Sequence, residues 1–354
     1  MNADLHKEIR SAVATILRAH STEGTPSADF DHRVWKDLSQ GGFHLLGVPA
    51  EAGGSGGGLS ALAVVVDLTA FHAVRVPVAE AAFLAGWMLA RTDLSLPEGL
   101  VVASLDEAHG ERRSGALRLS GSIRVPWGRH ANHVVTPVRC GGETLIAVLP
   151  VPQQGSEAIR LVTAENLAGE PRDTLILDGV ELADPVAVVA PPSVDSAALM
   201  RRGALARSLQ LGAAARSVLE SAGRYITERE QFGRPLAHFQ AVQHQLAVLA
   251  AEVTALQVSA DAALLAVETD DPGAAVAVAA AKATASAGAQ LVASIGHQLH
   301  GAIGYSAEHR LGQATTRLWA WREEFGNESH WHDQLAAMVR QDGPWWPLVA
   351  GGTR

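Results

Sequence analysis

The chain has 354 residues, 47% of them hydrophobic and 18% charged, with a formal net charge of −9. That length buries a large core in two or three structural units, and the acidic balance excludes a nucleic-acid surface, which needs clustered Lys and Arg to displace phosphate counterions. Cys140 is the only cysteine, which excludes an intramolecular disulfide and a thiolate metal cage and fits a reducing cytoplasm.

Residues 1–98 read as an N-terminal helical domain. In "HKEIRSAVATILRAH", Ile9, Val13, Ile16 and Leu17 recur at helical spacing, and the N-terminus lacks the apolar run of a signal peptide. "DFDHRVWKDLSQGGFHLLGVP" predicts a second helix that stops at Gly41-Gly42. The loop "PAEAGGSGGGLS" follows, then "ALAVVVDLTAFHAVRVPVAEAAFLAGWMLA", two helical stretches around Pro77. Residues 99–192 change character: "GLVVASL", "ALRLSGSIRVP", "HVVTPVR", "TLIAVLPV" and "DTLILDGVEL" alternate in polarity between Gly, Pro and polar turns. They predict antiparallel strands in a β-barrel or sandwich. Residues 193–354 return to helices, expected at 197–230, 238–268, 273–299 and 309–325, with a short one to about 340. The fold class is therefore α+β: helices, then a central β-domain, then a helix bundle. The longest apolar stretch, 273–296, is rich in Ala and Gly and interrupted by Lys282, which suits closely packed helices of a soluble protein better than a membrane span.

Most candidate motifs carry no chemistry. "GGSGGG" at 53–58 has no strand before it and no Lys behind it, so it reads as an interhelix loop rather than a phosphate loop. "HGAIG" at 300–304 has the wrong spacing for a dinucleotide fingerprint. Glu328 and His332 form one i, i+4 pair beside His330 without a third ligand, so no metal site is expected. His297 and His300 read as caps or packing residues.

The informative stretch is "YITEREQFGRPLAHFQAVQHQLA", 225–247. Tyr225, Glu228 and Arg229 close a helix, and Pro235 bars its continuation. Phe239, Val242, Leu246 and Leu249 then predict a buried stripe. A break bearing Arg, Gln and an exposed aromatic suits a planar anionic ligand, because guanidinium pairs with phosphate and a ring packs on a base. An ordinary helical hairpin with a surface Arg is the alternative.

"EREQFGRPLAHFQAVQHQLA" resembles the C-terminal signature of the acyl-CoA dehydrogenase family, and "HQLHGAIGYSAEHRL" resembles its second signature downstream. "VPAEAGGSGGGLS" is similar to the family's N-terminal interhelix loop, and the helix–β–helix order matches along essentially the whole chain. The resemblance implies FAD at a subunit interface. Arg229, Gln231 and Phe232 would contact its ADP half, with Leu236, Phe239, Gln240 and Val242 along the same surface. Gln298, Leu299, Gly301 and Ala302 match the second cluster, where Ala302 replaces a common Gly.

The resemblance also implies a mechanism: a Glu takes the α-proton of an acyl-CoA thioester while the β-hydrogen leaves as hydride. Counting from Gln298 puts Phe325 at the usual base position and Gly326 at the helix break. Glu324, the one candidate nearby, is one residue early, which on a helix turns it by ~100°; Glu323 is turned by ~200°. The alternative base position, counted back from Arg229, is Gly203. The β-domain also lacks the family's Thr-Glu-Pro…Gly-Ser-Asp segment, and "GSIRVPWGRHANHVV" keeps a loose likeness to its Trp-bearing strand, with Trp127 the candidate. Three readings follow. The first is the base-lacking subunit of a heterotetrameric acyl-CoA dehydrogenase, of the actinobacterial type that oxidises steroid side-chain thioesters, working with a catalytic partner in the cytoplasm. The second is a self-sufficient homotetramer with Glu324 as base. The third is a non-enzymatic binding protein on the same fold. The two glutamates themselves read as the solvated end of a helix.

Overall fold

The computed structural model describes residues 2–20, 29–113, 116–152, 156–183, 186–305 and 309–342. Ser306–Glu308 of the second signature and Ser114-Gly115 lie outside the described residues. Helix α1 (Asn2–Ala19) buries Ile9, Val13 and Leu17, spaced one turn apart. Helix α2 (His32–Gln40) buries Val34 and Leu38 and stops at the glycine pair, where Gly42 takes a left-handed φ of 73°. Helices α3 (Gly58–Phe71) and α4 (Ala79–Leu89, π-helical over Ala79–Gly86) flank Pro77.

Eight strands follow: β1 (Val101–Ala103), β2 (Ala108–Arg113), β3 (Ala116–Pro126), β4 (His133–Cys140), β5 (Glu143–Pro150), β6 (Ile159–Val162), β7 (Arg172–Ala183) and β8 (Ala187–Val189). They form one sheet in the order β6-β7-β3-β2-β4-β5-β8, with β1 added on β4. The expected antiparallel pairing holds for most neighbours, but β1 and β2 both run parallel to β4. On β7 the buried face switches from Leu175 and Leu177 to Val180 and Leu182. The extra residue is Gly179, at φ 70°, where the register with β3 slips by one. A bulge with glycine in the left-handed region resets the period-two alternation there.

The remaining elements are α5 (Ser196–Glu228), the short hairpin strands β9 (Glu230–Gln231) and β10 (Arg234–Pro235), α6 (Gln240–Glu268), α7 (Ala274–His300), α8 (Leu311–Glu323) and α9 (Glu328–Asp342). The chain divides into two compact units: Ala28–Leu62 with Arg75–Arg202, and Met1–Ser27 with Ala63–Val74 and Gly203–Arg354. In the first, the sheet's inner face packs Val102, Leu119, Ile123 and Leu175 into a core that includes Trp127 and Phe30.

In the second, α6 buries Leu249, Val253, Leu256, Ala260 and Ala263, a three-four-spaced stripe. The stripe expected from Phe239, Val242, Leu246 and Leu249 is fully buried only at Leu249, and the other three are half-buried. The physical reason is that the first turns of α6 flank a cavity rather than a neighbouring helix. Gly288 of α7 lets α6 approach closely, since a Cβ there would lie 2.5 Å from Leu256 Cδ1. By length and composition α6 and Ala274–Tyr305 reach membrane-spanning size. Yet Lys282, in the middle of α7, is completely buried and hydrogen-bonded within the bundle, while α6 exposes Val248, Val258 and Leu265.

Candidate functional site: a nucleotide-sized cavity and a buried arginine–glutamate pair

Helix α5 ends at Glu228, and the chain reverses through the β9–β10 hairpin. The two-residue turn is Phe232-Gly233, with φ of 53° and 80°. Positive φ at both central residues defines a type I′ turn, which favours Asn-Gly because a β-carbon is strained there. Phe232 instead sits at the tip, 90% exposed. Behind it, Arg234 lays its guanidinium over the Phe239 ring at 4.2 Å from the centroid.

Between the end of α5, this hairpin, the start of α6 and the end of α7 lies a cavity of about 620 Å³. Eight of the eleven residues singled out from the sequence line it: Arg229, Gln231, Leu236, Val242, Gln298, Leu299, Gly301 and Ala302. Phe232, Phe239 and Gln240 do not, because the hairpin tip turns outward and α6 begins beside it. Tyr225, Gln245, His300 and Ile303 line it as well. Gln245 stands one turn beyond Val242, a spacing the sequence shows; His300, which reads from sequence as a packing residue, carries no such signal.

The cavity's chemistry is mixed. Arg229 is exposed, and among the described residues its guanidinium has no ion-pair partner. The first turn of α6 contributes Ala241 and Val242, so the positive end of that helix meets the same space. Helix α7 is capped by Gly301, whose backbone (φ 61°, ψ −144°) is open only to glycine. A cavity within the usual range for small ligands, carrying one guanidinium, three glutamine amides and apolar walls, can take a nucleotide.

The second cluster is where a catalytic carboxylate would stand. Helix α8 stops at Glu323, two residues sooner than the sequence predicts. Glu324 is extended (φ −77°, ψ 139°), Phe325 is left-handed at φ 55° and Gly326 at φ 84°. Helical rotation therefore does not aim Glu324; an ion pair does. Arg207 Nε donates to Glu324 Oε2 at 2.8 Å, and Arg207 also donates to Gln210. The Arg207 guanidinium lies over the Trp321 and Phe325 rings at 5.8 and 5.6 Å. So the reading of both glutamates as a solvated helix end is corrected at Glu324, whose side chain is 18% exposed and paired with a nearly inaccessible arginine. It holds for Glu323, 57% exposed.

Gly203 and Phe325, the two positions where the family resemblance leads one to expect a base, are in direct contact. A Cβ at Gly203 would overlap the Phe325 ring, so the ring fills the space a side chain at 203 would need. Beside them, Lys282 Nζ donates to Ser286 Oγ, Arg322 O and Gly326 O at 2.7–2.9 Å, tying α7 to the end of α8. Burial and the Arg207 charge push its amine down to about 7. Sequence reasoning misses Arg207 and Lys282, although Arg207 stands one helical turn from Gly203. In the sheet-bearing unit Trp127 takes a left-handed φ of 63°, is buried, and meets Phe30 edge-on at 5.8 Å.

The acyl-CoA dehydrogenase C-terminal domain model matches residues 195–332. Acyl-CoA dehydrogenase FadE34 of Mycobacterium tuberculosis is 30% identical over 260 residues, 72% of this chain and 35% of that protein. The chain thus spans about a third of that relative's length. Among solved structures, the ChsE4–ChsE5 complex from Mycobacterium tuberculosis superposes with a TM-score of 0.86 at 20% identity, covering 95% of this chain and 97% of that one. The Tcur3481–Tcur3483 steroid ACAD gives 0.83 at 22%, covering 97% and 99%. At those identities the structural likeness speaks for the fold. The matched C-terminal domain, the similarity to FadE34 and the two signatures make the chain a member of the acyl-CoA dehydrogenase family.

Proposed function

We propose that the chain is a subunit of an acyl-CoA dehydrogenase that holds the nucleotide half of FAD and lacks a general base of its own. It would work in a tetramer with a catalytic chain of the same fold. The carrying observation is the contact between Gly203 and Phe325, with Glu324 committed to Arg207: neither base position offers a carboxylate. An apolar ring cannot accept the α-proton, and a carboxylate bound to a buried guanidinium is a weakened base.

The cavity fits the cofactor's ADP half. Arg229 and the α6 N-terminus would meet phosphate, and Gln231, Gln245 and Gln298 would meet ribose and base edges. FAD, when bound, supplies the acceptor for the β-hydride. The apolar outer face of α6, with Val248, Val258 and Leu265 exposed, supports a buried subunit contact. Likeness to the ChsE4–ChsE5 complex supports a two-chain assembly, and likeness to a steroid ACAD supports a bulky, steroid-bearing thioester as substrate. The single cysteine suits work in a reducing cytoplasm.

The test is co-expression with an acyl-CoA dehydrogenase-like chain that carries a Glu at the base position. Flavin absorbance and acyl-CoA oxidation are expected from the pair, and no oxidation from this chain alone. Glu324→Gln here leaves the turnover of the pair unchanged, and Arg229→Ala strips flavin from it. Oxidation by this chain alone, abolished by Glu324→Gln, overturns the proposal.

A further inference from the structure

Two aromatic residues on the cavity wall have no role in the reading above. Tyr225, on the last turn of α5, and His300, at the end of α7, stack with ring centroids 4.8 Å apart and planes 24° from parallel. Both line the cavity, but His300 is 2% exposed, so Tyr225 presents the open ring and His300 backs it.

The imidazole is fixed by its hydrogen bonds. His300 Nδ1 lies 2.8 Å from the Gly296 carbonyl, which can only accept, so Nδ1 carries the proton. Nε2 is then an acceptor, and the Ser221 hydroxyl donates to it at 3.1 Å. Burial, the largest effect, pushes His300 below the usual histidine range, in line with a neutral ring. Ser221 and the Gly296 carbonyl thus hold the imidazole by its two edge nitrogens, and the imidazole face stacks on the Tyr225 ring.

We infer that Tyr225 is the stacking platform for the base of the bound nucleotide and that His300 is its positioning residue. The inference rests on the nucleotide reading above and divides the cavity by chemistry. The guanidinium of Arg229 and the α6 N-terminus serve the phosphates. A neutral, flat wall with no charge of its own suits the π-face of adenine.

The test titrates ADP and pyrophosphate separately into the purified full chain by calorimetry. Tyr225→Leu is expected to weaken ADP about tenfold, the usual worth of one base–aromatic stack. It leaves pyrophosphate, which has no base, unchanged. Tyr225→Phe keeps the ring and restores ADP binding. His300→Ala weakens ADP while His300→Phe, which keeps the stack, recovers it. Circular dichroism checks that each variant is folded. Unchanged ADP binding in Tyr225→Leu, or equal losses for ADP and pyrophosphate, overturns the inference and leaves the nucleotide reading standing. A wild-type chain that takes up neither ADP nor FAD, alone or paired with the catalytic chain, overturns both.

Discussion

At the scale of single residues, the telling pair is Gly203 and Phe325. A helical glycine opposite a ring in the left-handed region is two departures from local preference that satisfy one another. Adding a methyl at 203 forces the ring or the helix to shift, and overpacking of this kind costs about 1–3 kcal/mol. After Phe325→Ala the ring atoms that the methyl would overlap are gone, and Ala in place of a helical Gly then contributes up to ~1 kcal/mol of stability. Urea unfolding of wild type, Gly203→Ala, Phe325→Ala and the double variant should therefore show strong coupling, with the methyl at 203 tolerated only when the ring is gone. Additive losses would show that the ring does not occupy the space over Gly203. This pair is half legible in the sequence. Motif spacing points to both positions, but only the fold shows that they touch.

Among elements, the junction of α7 with the end of α8 decides where the candidate carboxylates go. The sequence predicts α8 through residue 325, because nothing in "WREEFG" breaks a helix before the glycine. The structure ends it at Glu323 and lets Lys282 take the carbonyls of Arg322 and Gly326. A helix C-terminus needs such donors, and here a neighbouring helix supplies them. A tertiary contact of that kind leaves no local mark. Lys282→Met abandons the Gly326 carbonyl, while the Arg322 carbonyl keeps the Ser286 hydroxyl at 3.1 Å, and is expected to cost about 1–3 kcal/mol at neutral pH. The pH course is set by the lysine's depressed value, about 7 in the fold against 10.5 unperturbed. Between those values the unfolded chain binds more protons, so the wild type gains stability as pH rises. Its lead over Lys282→Met should widen by up to about 1.4 kcal/mol per pH unit from about pH 7 to 10. A lead that narrows with pH would mean that the three acceptors hold the amine charged.

Across the whole molecule, the order of helices and strands is legible because hydrophobic periodicity changes from helical to alternating near residue 100 and back near 195. The parallel pairings of β1 and β2 with β4 are not, since strand direction depends on connections rather than on pattern. Nor does composition reveal how histidine is used. Among the described residues, His44, His72, His130, His297, His300 and His309 are pushed below their usual value, each chiefly by burial. His44 is pushed furthest, to about 4, and its buried Nδ1 has no hydrogen-bond partner among the described residues. Between pH 6.5 and 4 the unfolded chain protonates this imidazole and the folded chain does not. Stability is therefore full above 6.5 and falls as the pH drops, by up to about 1.4 kcal/mol per unit for this residue alone. The other five act in the same direction. Urea midpoints measured from about pH 7.5 to 4.5 should fall steeply, and His44→Leu, which fits an apolar site beside Trp35, should flatten part of that slope. An identical slope in His44→Leu would show that His44 is charged in the folded chain. The same loss would fall on both compact units, His44 and His130 in the sheet-bearing one and the other four in the bundle, so acid should dismantle the cavity beside α6 and the sheet together.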